Sequence, residues 1–406
     1  MQEQHPLCPH LDSCGGCSTQ ATAYSEQLKK KSETIEQLFS ALGLLEGVKL
    51  DEIIPCRDPW RYRNKMEFSF SQNKAQDHFL GLMLKRSGRR VLNVEECYLT
   101  SPWFTKTLNS VRDWWKSTQI KAYHPYANTG SLRTLTLREG KRTQDKMAIL
   151  TVSGQSDFAL TKDQLDGFVN AVKRVVPEEE QMRISIFLRI QQIQKGSPTQ
   201  FFEMLLSGPD HITERLEIEI EGKKRIFTFK ISPTSFFQPN SLQAEILYGR
   251  ALEMCAVTPE MHVLDLYCGT ATLGMVFAER AGRVTGIELN PEATFDAESN
   301  LERNGTKNME IHCGDVGKIL KSWEDQALHP DLVIVDPPRA GLDPTSIAQI
   351  LRLAPKKILY VSCNPATQAQ NVKVFIENGY KLLKLQPVDQ FPHTPHLESI
   401  ALLSFP

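Results

Sequence analysis

The chain has 406 residues, 41% hydrophobic and 23% charged, with 47 basic against 48 acidic residues and a formal net charge of −1. At about 100–200 residues per domain this length predicts two or three domains with cores of their own, and the composition excludes disordered and collagen-like chains. No apolar run approaches the roughly 20 residues of a membrane span, and the polar start MQEQHPLCPH lacks a signal-peptide pattern, so a soluble, cytoplasmic protein without membrane partners is expected.

Residues 1–20, rich in Cys, Gly and Pro, need a staple to hold a shape. From Tyr24 to Leu42, apolar residues at 28, 35, 38, 39 and 42 fall at helical spacing, with Gly43 placed to end the helix. MEFSFSQ, HFLGLML, LRTLTLRE, KMAILTVS, SIFLRIQQIQ, RLEIEIEG and RIFTFKIS then read as strands, mostly antiparallel in style, with helices near 102–117 and 161–175. After about residue 231 the rhythm becomes strand then helix: HVLDLY, VTGIEL, MEIHCG, DLVIVD and ILYVSC, with helices near 273–280, 291–304, 344–353 and 367–378, and LLKLQPV and SIALLSF as a final pair. The expected fold is therefore α/β. A doubly wound, Rossmann-like domain over 231–406 follows a central α+β domain over 51–230, a helix over 21–50 and a cysteine loop over 1–20.

Charge is uneven between the halves. Residues 1–230 carry 33 basic and 28 acidic residues, residues 231–406 carry 14 and 20, and the stretch 51–150 alone carries 18 and 10. A basic first half beside an acidic second half suggests a polyanion-binding surface next to a catalytic module, although a modest excess is also what an ordinary solvated surface shows.

HVLDLYCG is a short buried strand opening into the small-residue turn Gly269–Gly274, where ligands of doubly wound sheets sit. Ala271 stands where a dinucleotide fingerprint has its second glycine. Glu288 ends the next strand, where a carboxylate can accept from both ribose hydroxyls, and Asp315 and Asp336 follow the third and fourth strands. With Asp265 these make four acidic strand ends on one rim, each of which can also be a plain helix cap. Such a rim repels a pyrophosphate and tolerates a cation, so the sulfonium nucleoside S-adenosylmethionine suits it better than NAD.

Cys363 lies just past the buried strand ILYVS on that rim. A lone cysteine beside a strand is usually a small core residue, but Asp336-Pro337-Pro338-Arg339 holds an arginine that would favour its thiolate. Glu398 is a candidate general base, with His393 and His396 as competitors; zinc at the two histidines lacks further ligands nearby.

Phe237-Gln238-Pro239-Asn240, DLYCG at 265–269, DPPRAG at 336–341, YVSCNP at 360–365 and His396-Leu397-Glu398 together resemble the RNA uracil-C5 methyltransferase family. The resemblance continues upstream through Tyr62-Arg63-Asn64-Lys65 and RRVLNVEEC at 89–97, and so spans nearly the whole chain. It implies that Cys363 is the nucleophile toward uracil C6, that Glu398 accepts the C5 proton, and that Gln238, Tyr267, Glu288 and Asp336 hold S-adenosylmethionine; Gly269 of the turn and Asp315 of the rim are expected at the same cofactor site. The target base would be flipped out or unpaired.

Cys8, Cys14 and Cys17, spaced x5 and x2, join Cys97 as a set of four thiols. Spacing alone leaves iron–sulfur and zinc open. The resemblance implies a 4Fe-4S cluster, since the iron–sulfur subset of the family carries cysteines at matching positions, and it implies 23S ribosomal RNA as substrate. It also implies a monomer, here without the N-terminal OB-type domain of some members. Transfer RNA as substrate, amino-group methylation and a non-catalytic RNA-binding role stand as alternatives. Cys56, Cys255, Cys268 and Cys313 are expected to pack. RNA contacts are expected at the Lys85–Arg90 loop and around Arg61, Arg63 and Lys65, with Phe68 and Phe70 either stacking on a base or filling the core.

Overall fold

The computed structural model describes residues 7–48, 50–86, 90–193, 196–323 and 329–405. Within it the chain divides into two compact units: the described residues up to Ala21 with Asp58–Glu214, and Thr22–Arg57 with Arg215 onward. Helix α1 (Tyr24–Ser40) thus belongs to the second unit. Among the described residues no helix is long and apolar enough to cross a membrane.

The first unit is built on β1 (Lys65–Gln72), β2 (His78–Met83), β3 (Val91–Asn93), α2 (Pro102–Lys116), β4 (Leu132–Glu139), β5 (Lys146–Ser153), α3 (Lys162–Lys173), β6 (Ile184–Gln192) and β7 (Gln200–Ser207). Its seven strands run in the order β3-β2-β1-β4-β5-β6-β7. All neighbours are antiparallel except β5 and β6, whose parallel pairing needs the crossover that α3 supplies. Strand alternation sends Phe68, Leu135, Leu150 and Leu188, which face one another across four strands, into one core with Trp114, Trp115 and Phe168 of the two helices.

The second unit adds a two-stranded ribbon of β8 (Ile212–Ile220), whose first residues still belong to the first unit, and β9 (Lys223–Ile231). It continues with α4 (Ser241–Cys255), β10 (His262–Leu266), α5 (Thr272–Ala278), β11 (Arg283–Glu288), α6 (Pro291–Asn304), β12 (Met309–Cys313) and α7 (Val316–Ser322). It closes with β13 (Leu332–Val335), α8 (Pro344–Leu353), β14 (Lys357–Ser362), α9 (Pro365–Glu377), β15 (Lys381–Val388) and β16 (Glu398–Ser404). The sheet order is β12-β11-β10-β13-β14-β16-β15, parallel through β14 and antiparallel beyond it, which is the doubly wound sheet with an antiparallel tail expected from the sequence. Alternate residues of β10, β13 and β14 (Leu264, Leu266, Val333, Val335, Ile358, Tyr360) share a core with Ile35 and Phe39 of α1, Ile350 of α8 and Phe375 of α9. Leu50 and Ile54 bridge to Leu385 and Val388, so the segment after α1 runs along β15.

Three elements escape a periodicity reading. α4 buries nine of its fifteen residues and has no single apolar stripe. α7 has only seven residues. β7 exposes Gln200–Leu205 on both faces, so its apolar residues have no reason to alternate.

Candidate functional site

The site is assembled at the carboxyl ends of the parallel strands. Asp265, 1% exposed, sits in β10. Burial, with Asp336 and Glu288 adding repulsion, raises its carboxyl to about 8. Its carboxylate packs against the first turn of α5, where the Gly274 backbone gives it a hydrogen bond that opposes the shift. Beyond it the backbone takes positive φ at Tyr267 (65°), Gly269 (55°) and Ala271 (64°). Ala271, the departure from the glycine fingerprint, therefore holds a left-handed conformation at the cap of α5 that glycine would adopt at less cost.

Glu288 braces this turn: its Oε2 accepts the Gly269 N–H at 3.0 Å and its Oε1 the Asn290 N–H at 2.8 Å. The Tyr267 hydroxyl donates to Ser346 Oγ at 3.0 Å. Asp315 caps α7, accepting the Lys318 N–H at 2.9 Å. Asp336, half-buried after β13, has its carboxyl raised by burial to about 7. Gln238 is buried on the loop between β9 and α4; Gln390 Nε2 reaches its Oε1 at 3.4 Å, and the buried Tyr248 of α4 hydrogen-bonds to it. Tyr248 carries no signal in the sequence, yet Asp336 and Glu398 both act on its hydroxyl, which burial pushes well above its usual value.

Cys363 and Glu398 meet because of strand direction. A parallel strand ends at this rim, whereas an antiparallel strand begins there. β14 ends at Ser362, which pairs with Ser399 of β16, so continuing the register by one residue sets Cys363 opposite Glu398. Glu398 is 3% exposed, and burial foremost, then Asp336, raises its carboxyl well above the usual range while Arg339 opposes them. The half-buried Cys363 thiol is raised by burial, then by Glu398 and Asp336, and is drawn back by the charge of Arg339 and a hydrogen bond from its side chain. The Arg339 carbonyl accepts Asn364 Nδ2 at 2.9 Å and Thr367 Oγ1 at 3.3 Å, tying the Asp336–Gly341 loop to the start of α9. His393 is buried and engaged by Gln27, and His396 is exposed, so neither histidine is placed like Glu398.

In the first unit, the loop carrying Cys8, Cys14 and Cys17 is fastened to the β2–β3 hairpin by Gly15 N–H to the Met83 carbonyl (2.9 Å) and Lys85 N–H to the Ser13 carbonyl (2.7 Å). Burial raises the Cys8, Cys14 and Cys17 thiols, Cys17 to about 12, and each is raised further by Cys97. The four are thus neighbours. Among the described residues, however, no three His, Cys, Asp or Glu side chains converge as they would on a metal ion. An all-thiol donor set is one that either an iron–sulfur cluster or zinc would accept.

Other expectations change. Phe68 and Phe70 are core residues, Phe70 lying edge-on to Trp115 at 5.1 Å, because strand alternation points both at α2; neither is free to stack on a base. Tyr62 is buried with them. Of the Lys85–Arg90 loop, residues 87–89, and with them the Arg89 position of the upstream motif, lie outside the described residues. Cys56, Cys255 and Cys268 are buried, but Cys313 is exposed at the end of β12 and does not pack.

A profile of the tRNA (uracil-5-)-methyltransferase family matches residues 180–405. An uncharacterized RNA methyltransferase of Protochlamydia amoebophila is 47% identical over 403 residues, covering 98% of this chain and 91% of its own length. One from Staphylococcus epidermidis is 34% identical, covering 98% of this chain and 83% of its own. Among solved structures, the Pyrococcus abyssi tRNA (uracil-54, C5)-methyltransferase in complex with S-adenosyl-L-homocysteine is similar with a TM-score of 0.70 and 24% identity, over 96% of this chain and 86% of that one, a likeness of fold.

Proposed function

The chain belongs to the tRNA (uracil-5-)-methyltransferase family and is an S-adenosylmethionine-dependent RNA methyltransferase, and from that premise we propose that it methylates C5 of a uridine in 23S ribosomal RNA through a covalent Cys363 adduct. Membership removes the non-catalytic alternative. The observation that carries the chemistry is the register of β14 and β16, which sets a thiol beside a guanidinium opposite a buried carboxylate of raised basicity.

C5 of uracil is a weak nucleophile. In the proposed sequence the Cys363 thiolate bonds to C6, and the electron pair displaced toward C5 attacks the methyl carbon, with S-adenosylhomocysteine as leaving group. Glu398 takes the C5 proton, and the C6–S bond breaks to restore the double bond and the thiolate. Asp265, Glu288, Gln238, Tyr267 and Asp336 would line the cofactor's place, with Gly269 giving close backbone approach and Asp315 acting at the rim. Amino-group methylation needs no thiol, so the Cys363→Ala variant separates the two chemistries: loss of 5-methyluridine supports the adduct, and near-wild-type turnover overturns it.

The choice of ribosomal RNA rests on the cysteine set. We propose that Cys8, Cys14, Cys17 and Cys97 hold a 4Fe-4S cluster that organises the loop; such a cluster supplies positive charge to thiols that burial otherwise keeps protonated. Nine free thiols suit the reducing cytoplasm. Transfer RNA, favoured by the family's description, is the second reading. Mapping 5-methyluridine in both RNA classes from cells lacking the protein decides between them. The absorption spectrum of anaerobically purified protein tests the cluster, and a colourless, zinc-loaded sample refutes it.

A further inference from the structure

The buried ridge of α1 is Gln27, Lys31, Ile35 and Phe39, each four residues from the last. Ile35 and Phe39 fill the core, but the two polar members and Tyr24 serve another end. The Lys31 ammonium donates to Asp389 Oδ1 at 2.6 Å and to the Phe391 carbonyl at 3.0 Å. The Tyr24 hydroxyl donates to Asp389 Oδ2 at 2.7 Å and accepts the Cys56 N–H at 2.8 Å. Gln27 Oε1 accepts the His393 N–H at 3.0 Å, and its Nε2 lies 3.2 Å from His393 Nδ1. His393 holds φ at 66°, a backbone state that a non-glycine residue keeps only when its surroundings fix it. Asp389, Gln27, Lys31 and His393 are each at most 5% exposed.

Residues 389–397 are the whole connection between Val388, the end of β15, and Glu398, the first residue of β16. α1 grips this connection at Asp389, Phe391 and His393. From the other side Asn240 Nδ2 donates to the Gln390 carbonyl at 3.1 Å, and Gln390 Nε2 donates to the Asn240 carbonyl at 3.2 Å and to Gln238 Oε1. The segment leading to Glu398 is thus held between α1 and the loop of Gln238. A buried ion pair is seldom retained for net stability, since an apolar pair of similar volume commonly does as well, but it fixes geometry sharply.

We propose that Tyr24, Gln27 and Lys31, which precede the region matched by the family profile, form with Asp389 a positioning clamp that sets Glu398 for removal of the C5 proton. The inference rests on the assignment of Cys363 as nucleophile and Glu398 as base. Its signature is step-specific. A displaced Glu398 slows proton removal after the ring has been bonded to Cys363 and methylated, so the RNA–protein adduct persists. A general loss of fold lowers adduct and turnover together.

The experiment compares Gln27→Met, Lys31→Met and Glu398→Gln in the full chain, with target RNA and S-adenosylmethionine, scoring turnover and denaturant-resistant RNA–protein adduct per folded molecule. Lys31→Met strands the buried Asp389 charge, so Gln27→Met, which leaves the ion pair whole, is the variant least exposed to misfolding. Expected are a turnover reduced about tenfold or more and an adduct several-fold above wild type in both α1 variants, approaching that of Glu398→Gln, a size in keeping with partial loss of general base catalysis. Adduct in Glu398→Gln, with adduct and turnover falling in parallel or both unchanged in the α1 variants, overturns the clamp alone. No adduct in Glu398→Gln overturns the assignment of the base and the clamp with it.

Discussion

Cys363 at the sheet rim and the thiols of the N-terminal loop meet the same physical obstacle, since burial raises Cys363, Cys8, Cys14 and Cys17 alike. The relief differs. Cys363 has a guanidinium within hydrogen-bonding reach and two carboxylates holding it back, so the thiolate is attainable yet not free of cost. In the loop each thiol is worsened by its neighbours, with backbone N–H groups or the more distant Arg63 as the offsetting influences. The contrast matches the roles proposed for them: a thiol that gains and loses a carbon partner needs a balanced environment, whereas thiols that hold a metal centre can depend on its charge for their ionisation.

The largest effect that tests this contrast is at residue 363. Cys363→Ala is expected to lower 5-methyluridine formation by about 10⁴-fold or more, as loss of a covalent nucleophile does, with the visible spectrum of the protein unchanged. On the proposed cluster, Cys17→Ser should do the converse, bleaching the spectrum that the cluster gives and lowering the melting temperature by on the order of 10 °C, while the folded fraction retains methylation. Equal losses of activity in the two variants would erase the distinction.

Arg339→Met sharpens the contrast from the other side. Removing the cation makes the Cys363 thiol still harder to ionise, so turnover near neutral pH should fall by up to about tenfold with the shrinking thiolate fraction, and the alkaline rise of the rate should move to higher pH. The exposed position of Arg339 limits the size of that effect. A pH–rate profile of both proteins at saturating RNA is the measurement.

The prediction that reads stability and leaves turnover aside concerns Asp265. Its carboxyl is raised from 3.8 to about 8, so between those values the folded, ligand-free chain retains a proton that the unfolded chain has lost. This contribution to stability is full below pH 3.8 and declines as pH rises through about 8, at up to about 1.4 kcal/mol per pH unit. Asp265→Asn should flatten that decline, with denaturant titrations at pH 5 and pH 8 giving closer values than in wild type.

Part of the rim was legible in the sequence because the buried strands β11 and β13 announce themselves by apolar runs that stop at a charge, Glu288 and Asp336, whereas the run of β10 continues past Asp265, which the structure buries inside the strand. Glu398 was not legible that way. Residue type alone left it a candidate base beside His393 and His396, and its meeting with Cys363 depends on β16 entering antiparallel beside β14. Lys31 and Gln27 were missed because polar residues on a helix read as solvated, although counting back four and eight residues from Ile35 reaches both. Tyr248 sits in α4, whose burial on several faces leaves no periodic trace. Phe68 and Phe70 alternate with polar residues both as a half-buried strand and as a base-stacking surface would, and pattern alone does not tell which face α2 covers.

β16 lies between β14 and β15 although it follows both in the chain, so β15 cannot reach its final neighbour until the residues after it have been inserted. A polypeptide emerging from its N-terminus therefore carries Cys363 and the strands of the proposed cofactor site before Glu398, the first residue of β16, has a place in the sheet. The site is therefore completed by one seven-residue strand that also joins β14 to β15, so a lesion in β16 is expected to cost the edge of the sheet and the place of Glu398 together.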